Sequence, residues 1–191
     1  MKSRNFPWPA RDIVVVAHNI RSVLNVGAIL RTAEGFGIEK VFATGWTPNL
    51  QRSTDGSNAP LLPHVREKLA RELHKTALGA EEIVDLEFRE NIFNLIQQLR
   101  AKNFVIVGLE QDSRAIALPD FNDFFAKKYS KKFAASRAKI ALLLGEEVGG
   151  LTPELRAACD ELAEIPMFGR KESFNVSVAA GIALYSLSIS S

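Results

Sequence analysis

Two stretches of this chain place ligand-holding residue types where a plain connector would need none. The first is Gly145-Glu146-Glu147-Val148-Gly149-Gly150-Leu151, directly after the apolar run Leu142-Leu143-Leu144. A glycine at the C-terminal edge of a strand lets a ligand approach the backbone closely, and open α/β sheets bind ligands at that edge. An ordinary strand-to-helix turn can be spelled the same way, so this segment gains weight only from its company. The second stretch is Gly169, Arg170, Lys171, Glu172, Ser173 and Asn175, standing between a short strand and the most apolar helical pattern in the chain. So many polar groups in front of a hydrophobic helix point to something held there.

Several chemistries are excluded by spacing. The first strand is followed by His18-Asn19-Ile20-Arg21 with no glycine before Gly27, so the G-x-G-x-x-G dinucleotide fingerprint is missing. The P-loop pattern G-x-x-x-x-G-K-[ST] is missing too. His18, His64 and His74 form no ligand cluster, and no metal site is expected. Cys159 is the single cysteine and has no internal partner, so nothing points to an oxidising compartment.

The stretch from Asp120 to Lys139 carries Lys127, Lys128, Lys131, Lys132 and Arg137, with Tyr129 and Phe133 between them. Two readings stand side by side: a solvated helix kept soluble by its lysines, or a footprint for phosphates with aromatics available for stacking.

The elements that must position these residues follow from hydrophobic patterning. Strands are expected at Ile13–Ala17, Lys40–Thr44, Phe104–Leu109 and Lys139–Leu144, with weaker signals at Glu82–Leu86 and Leu162–Ile165. Helical patterns lie near Val26–Phe36, Leu62–Thr76, Ile92–Lys102, Pro153–Cys159 and Asn175–Ser188. Such alternation predicts an α/β fold, a mostly parallel sheet with helices on both faces. Gly37 suits a left-handed helix end, and Thr152-Pro153 an N-cap followed by proline. Thr47 to Pro63 is rich in turn formers and reads as a long surface loop. The chain has 191 residues, a formal net charge of +2 and 47% hydrophobic residues, which fits one globular domain. No signal-peptide pattern and no long apolar run appear, so the expectation is a cytoplasmic protein that does not span a membrane.

Three segments read together carry a resemblance. Asn25-Val26-Gly27-Ala28-Ile29-Leu30-Arg31-Thr32-Ala33 with Phe36-Gly37, then Gly145 through Leu151, then Ile165-Pro166-Met167-Phe168-Gly169 through Ser173-Phe174-Asn175-Val176-Ser177 resemble the three motifs of the SpoU (TrmH-like) family of SPOUT RNA methyltransferases. The match runs from Ile13 to Ser188. It implies methyl transfer from S-adenosylmethionine to a ribose 2′-hydroxyl of tRNA or rRNA, with tRNA favoured for a compact chain. It implies a single SpoU-type domain over 1–191 with a deep trefoil knot in its C-terminal part, the basic segment 120–139 inserted within it, and a homodimer whose sites draw on both subunits. The final helix, apolar on all sides, is then expected to be buried at the subunit interface, with Ala179, Ala180, Gly181 and Ala183 allowing close approach.

By the same resemblance, Arg31, Asn25, Glu147 and Asn175 are the catalytic candidates. Leu109, Leu144, Gly145, Ile165, Met167, Ser173 and Phe174 are the cofactor-binding candidates. Arg21 and Arg31, with Lys127, Lys128, Lys131 and Lys132, are the RNA-binding candidates. Glu147 is placed to orient Arg31 or Asn25, or else to cap its own turn; Ser173 is either part of the site or an N-cap. The chain departs from the family pattern at Phe174, where leucine is usual, and no separate RNA-binding domain is read before Ile13. Two other functions compete. A non-catalytic RNA-binding or assembly factor predicts erosion of Arg31, Glu147 or Asn175, and all three are intact; a base methyltransferase predicts different residues at Asn25 and Arg31.

Overall fold

The computed structural model describes residues 11–52 and 59–189; the opening segment and the tip of the long loop lie outside the described residues. Seven strands form one sheet: β1 Arg11–His18, β2 Lys40–Thr44, β3 Asp85–Arg89, β4 Val105–Leu109, β5 Ile116–Ala117, β6 Ala138–Leu144 and β7 Glu161–Glu164. Their order is β3-β2-β1-β6-β4-β7-β5, and every pairing between them is parallel. The central strands are unbroken apolar runs because both faces are covered. In β6, Ile140, Leu142 and Leu144 enter one core, while Ala141 and Leu143 enter the other. Helices α1 Val23–Gly35, α2 Pro63–Ala77, α4 Leu118–Tyr129 and α6 Val176–Ser188 cover the first face; α3 Ile92–Ala101 and α5 Pro153–Ala158 cover the second.

Local chemistry fixes the boundaries. Helix α1 starts at Val23, earlier than its apolar stripe indicates, because the Ser22 hydroxyl accepts from the Asn25 N–H at 3.3 Å. It ends as expected: Gly37 is left-handed at φ 68°, and the Ile38 N–H donates to the Ala33 carbonyl at 2.9 Å. Thr152 caps α5 with Pro153 at its first position. The third strand is shifted from Glu82–Leu86 to Asp85–Arg89, since Ala80–Glu82 form a 3₁₀ turn. Strand β5, two residues long, gave no readable signal.

The segment 120–139 is neither one helix nor a free aromatic surface. Helix α4 stops at Tyr129, turns follow, and Ala138 and Lys139 already belong to β6. Phe121 and Phe125 are buried, and Tyr129 and Phe133 pack against the core, with the Phe125 and Phe133 rings stacked at 6.2 Å. The Lys128 ammonium pairs with Glu161 at 2.5 Å, and the Tyr129 hydroxyl donates to the same carboxylate. The Lys132 ammonium sits 5.5 Å above the Phe133 ring. Lys127 and Lys131 are exposed, with no ion pair among the described residues.

Within this chain the last helix is buried on one side only. Ala180, Ala183, Leu184 and Leu187 are buried, but Val178, Ile182, Tyr185 and then Ile189 form an exposed apolar stripe on the opposite side. The small residues serve α1, where a Cβ at Gly181 would touch Thr32 at 3.7 Å. Tyr185 meets Phe36 edge-on at 6.4 Å.

Candidate active site

The C-terminal edge of a parallel sheet collects strand ends whose backbone groups are not all taken up by the ladder, and the loops there decide what binds. Here the ends of β4, β6 and β7 and the start of α6 enclose a cavity of about 270 Å³. All seven cofactor-binding candidates line it: Leu109, Leu144, Gly145, Ile165, Met167, Ser173 and Phe174. Glu110 and Gln111, which no motif singled out, also line it, as do Glu146, Glu172 and Val176 from the motif segments. The first two sit directly after β4, so extending the strand-end rule to that strand would have found them.

Two loops close over this cavity. After β6 the chain folds back on itself, the Gly150 N–H donating to the Glu146 carbonyl at 3.1 Å. Gly145 is required by that fold: a Cβ there would lie within 2.7 Å of the Leu151 nitrogen, against backbone that has no way to yield. The Glu110 carboxylate accepts from the Leu151 N–H at 2.5 Å and from the Gln111 N–H at 3.1 Å, tying this turn to the end of β4. The polar loop before α6 is held on the other side, where the Gln111 side chain donates to the Glu172 carbonyl at 2.6 Å.

Beside the cavity, side chains from all three motifs form one hydrogen-bonded chain. The Asn175 amide donates to the Asn25 side-chain oxygen at 3.2 Å, and the Asn25 amide donates to Glu147 at 3.1 Å. Glu147 also accepts from the backbone N–H groups of Arg21 and Ser22, each at 3.3 Å. Burial alone would raise the Glu147 carboxyl above its ordinary value. Hydrogen bonds from its own N–H, Asn25, Ser22 and Arg21 outweigh burial and hold it below that value, ionised at neutral pH. Asn175 is at once the N-cap of α6, accepting from the Ser177 N–H at 2.9 Å, which leaves Ser173 a wall residue and not a cap.

The structure separates six candidates from this group: Arg31, Arg21 and the four lysines of 127–132. Glu147 orients Asn25, not Arg31; Arg31 is exposed on α1 with no hydrogen bond or ion pair among the described residues. Six residues beyond Asn25, it lies about 9 Å further along the helix. Arg21 stays at the rim, its guanidinium 3.9 Å from Glu146 with the side chain 74% exposed. The lysines of 127–132 belong to the far side: they precede β6, so they stand at the N-terminal edge of the sheet, about 20 Å from Gly145 by strand length. Among the described residues no group of three or more His, Cys, Asp or Glu could hold a metal ion, and no helix is long and apolar enough to cross a membrane.

A parallel sheet with a pocket at its C-terminal edge, closed by a glycine turn and bolted to α1 and α6 through Asn25, Glu147 and Asn175, defines a recognisable class of protein. Residues 47–185 match the SpoU rRNA Methylase family, and the chain belongs to it. It is 30% identical over 174 residues to the 23S rRNA (guanosine-2′-O-)-methyltransferase RlmB of Nitrosomonas europaea, covering 91% of this chain and 54% of that protein. It is 25% identical to the tRNA (guanosine(18)-2′-O)-methyltransferase of Aquifex aeolicus over 92% of this chain and 68% of that one. The chain thus spans little more than half the length of the first of these relatives. Among solved structures, the A. aeolicus TrmH/SpoU tRNA modifying enzyme shares the fold with a TM-score of 0.68 at 23% identity, over 93% of this chain and 74% of that one. The AdoMet-bound rRNA methyltransferase from Sinorhizobium meliloti also superposes with a TM-score of 0.68, at 22% identity, over 92% of this chain and 55% of that one.

Proposed function

We propose that this chain is a single SpoU-type domain that transfers a methyl group from S-adenosylmethionine to a ribose 2′-hydroxyl of rRNA or tRNA. The observation that carries this reading is the hydrogen-bonded chain of Asn25, Glu147 and Asn175 beside a cavity lined by every cofactor-binding candidate. Both RNA classes occur among the relatives' names, so the earlier preference for tRNA is left to experiment.

The cavity suits the cofactor chemically. Leu109, Leu144, Ile165 and Met167 offer an apolar wall for a purine, and Glu110, Glu146, Glu147 and Glu172 surround it with negative charge that favours a sulfonium. S-adenosylmethionine supplies a methyl group already activated by that positive charge. The protein's part is placement, which in well-oriented reactions accounts for roughly 7–11 kcal/mol. Asn25, Glu147 and Asn175 lock the two loops and α1 into one register. Arg31 cannot serve as the base, because a guanidinium stays protonated in proteins. It grips the phosphate beside the target and lowers the hydroxyl's pKa, while the proton leaves to phosphate or water.

Arg31 is exposed and outside the network of its own chain, which supports a site completed by a second copy. The apolar stripe Val178, Ile182, Tyr185 and Ile189 supports a homodimer packed through α6, the helix that also touches α1. A deep trefoil knot is part of the same reading, supported by β7 lying between β4 and β5, both formed earlier in the chain. Lys127 and Lys131 are read as distal phosphate contacts on the opposite edge, with cytoplasmic RNA as the substrate.

The test is incubation with tritiated-methyl S-adenosylmethionine and total RNA, followed by fractionation and alkaline digestion, with Arg31→Ala alongside. Label in an alkali-resistant dinucleotide from one RNA class, reduced at least about 100-fold in the variant, is the expected result; an electrostatic contact to developing charge is typically that large. Label on a base would overturn ribose transfer.

A further inference from the structure

The C-terminal ends of β1 and β2 are joined more tightly than two parallel neighbours require. Asn19 follows β1 in the left-handed region (φ 57°), its N–H donating to the Thr44 carbonyl at 3.2 Å. Its carboxamide oxygen accepts from the Trp46 N–H at 3.0 Å. Gly45 is also left-handed (φ 62°), and a Cβ there would overlap that carboxamide and lie 3.2 Å from His18 Cε1. Thr44 and Thr47 on either side are fully buried. Thr47 Oγ1 donates to the Ala17 carbonyl at 2.9 Å and accepts from the Ile20 N–H at 3.1 Å.

Between these anchors Trp46 is 49% exposed and belongs to neither hydrophobic core. A backbone this firmly pinned fixes the position from which the ring projects, which removes the backbone part of the entropic cost of binding. Strand β1 separates β2 from β6, so the Trp46 turn stands about 10 Å from the glycine turn at the ordinary strand spacing. Two polar groups border the gap. His18 Nδ1 is engaged by Thr44 Oγ1 at 2.8 Å, while its Nε2 has no partner among the described residues. Arg21 extends its guanidinium into solvent beside Glu146.

We propose that this turn is a base-stacking subsite: Trp46 is the platform for a nucleobase next to the methylated nucleotide, and His18 Nε2 and Arg21 contact its sugar and phosphate. Indole stacks on any base, and a guanidinium matches a phosphate geometrically. The inference rests on the RNA-methyltransferase reading and says which of this chain's own residues holds the substrate strand.

The sequence has two tryptophans, so a Trp8→Phe protein carries Trp46 as its sole indole. Its emission should be quenched saturably by total RNA, and by the RNA that the methylation assay identifies. Trp46→Ala should raise KM for that RNA roughly 5- to 150-fold, the loss expected for one base–aromatic stack. Trp46→Phe should recover most of it, and cofactor affinity and kcat should stay unchanged. An active Trp46→Ala enzyme with unaltered KM, or emission insensitive to saturating RNA, would overturn the subsite. A blue shift on concentrating the protein without RNA would also overturn it, by showing that a second copy covers Trp46. Failure of the wild-type protein to methylate any RNA would instead sink the activity, while quenching by RNA still reads the subsite independently.

Discussion

Glu147 gathers four hydrogen bonds at the meeting point of three segments, and its charge is the part of the site that pH can address. Its carboxyl lies below the ordinary value of 4.5 in the folded chain, chiefly because donated hydrogen bonds overcome the burial that would raise it. The folded state therefore binds this proton less readily than the unfolded state. That contribution to stability is complete above about pH 5 and is lost as pH falls through the folded value. Glu147→Gln removes the titrating group while keeping an acceptor for Asn25. Its melting temperature should fall below that of the wild type near neutrality, and the gap should close as pH falls through the folded value. Thermal unfolding followed at a series of pH values measures this, and a gap independent of pH would mean the carboxylate's charge contributes nothing. The amide would also reverse part of the donor pattern at Arg21 and Ser22, so methyl transfer should drop even where the protein remains folded.

At the scale of elements, the glycine turn after β6 is the most constrained piece of the site. Gly145→Ala would press a methyl group into the Gly150 carbonyl and the Leu151 nitrogen, and both atoms are backbone. The expected cost is about 1–3 kcal/mol of stability, typical of overpacking, with a loss of cofactor affinity larger than at any single apolar wall residue. Denaturant unfolding and calorimetric titration with S-adenosylmethionine separate the two effects.

The strands behind this turn were legible because β1, β4 and β6 are covered on both faces and so spell continuous apolar runs. Strand β3 was misplaced and β5 missed because they are edge strands, short and half-buried, with little pattern to read. The lysines of 127–132 left two readings open, because a count of charges does not show what faces them. Glu161 pairs with Lys128 from a strand more than 30 residues away, and the core-packed ring of Phe133 lies under Lys132. The cavity wall was readable through motif resemblance, but the bonds joining Asn25 to Glu147 and Asn175 span 122 and 150 residues, which no local pattern encodes.

For the whole molecule, the question is whether one chain holds a complete site. Its pocket and network are assembled in cis, yet Arg31 is exposed and part of neither, and α6 leaves an apolar stripe uncovered. If each pocket takes Arg31 from its partner, two defective proteins should rescue each other. Arg31→Ala keeps an intact pocket; Met167→Arg fills the pocket and places a cation where the cofactor's sulfonium must go. A mixed dimer then has one competent site, the pocket of the first chain with the arginine of the second. Mixing equal amounts after brief dissociation gives half mixed dimers with one of two sites alive, so activity should return to about one quarter of the wild-type value. If Arg31 acts in its own chain, every site in the mixture lacks either arginine or pocket, and no activity returns. Ile182→Asp in the stripe should abolish the rescue and halve the mass measured by light scattering, which places the exchange at α6 and not at some other contact.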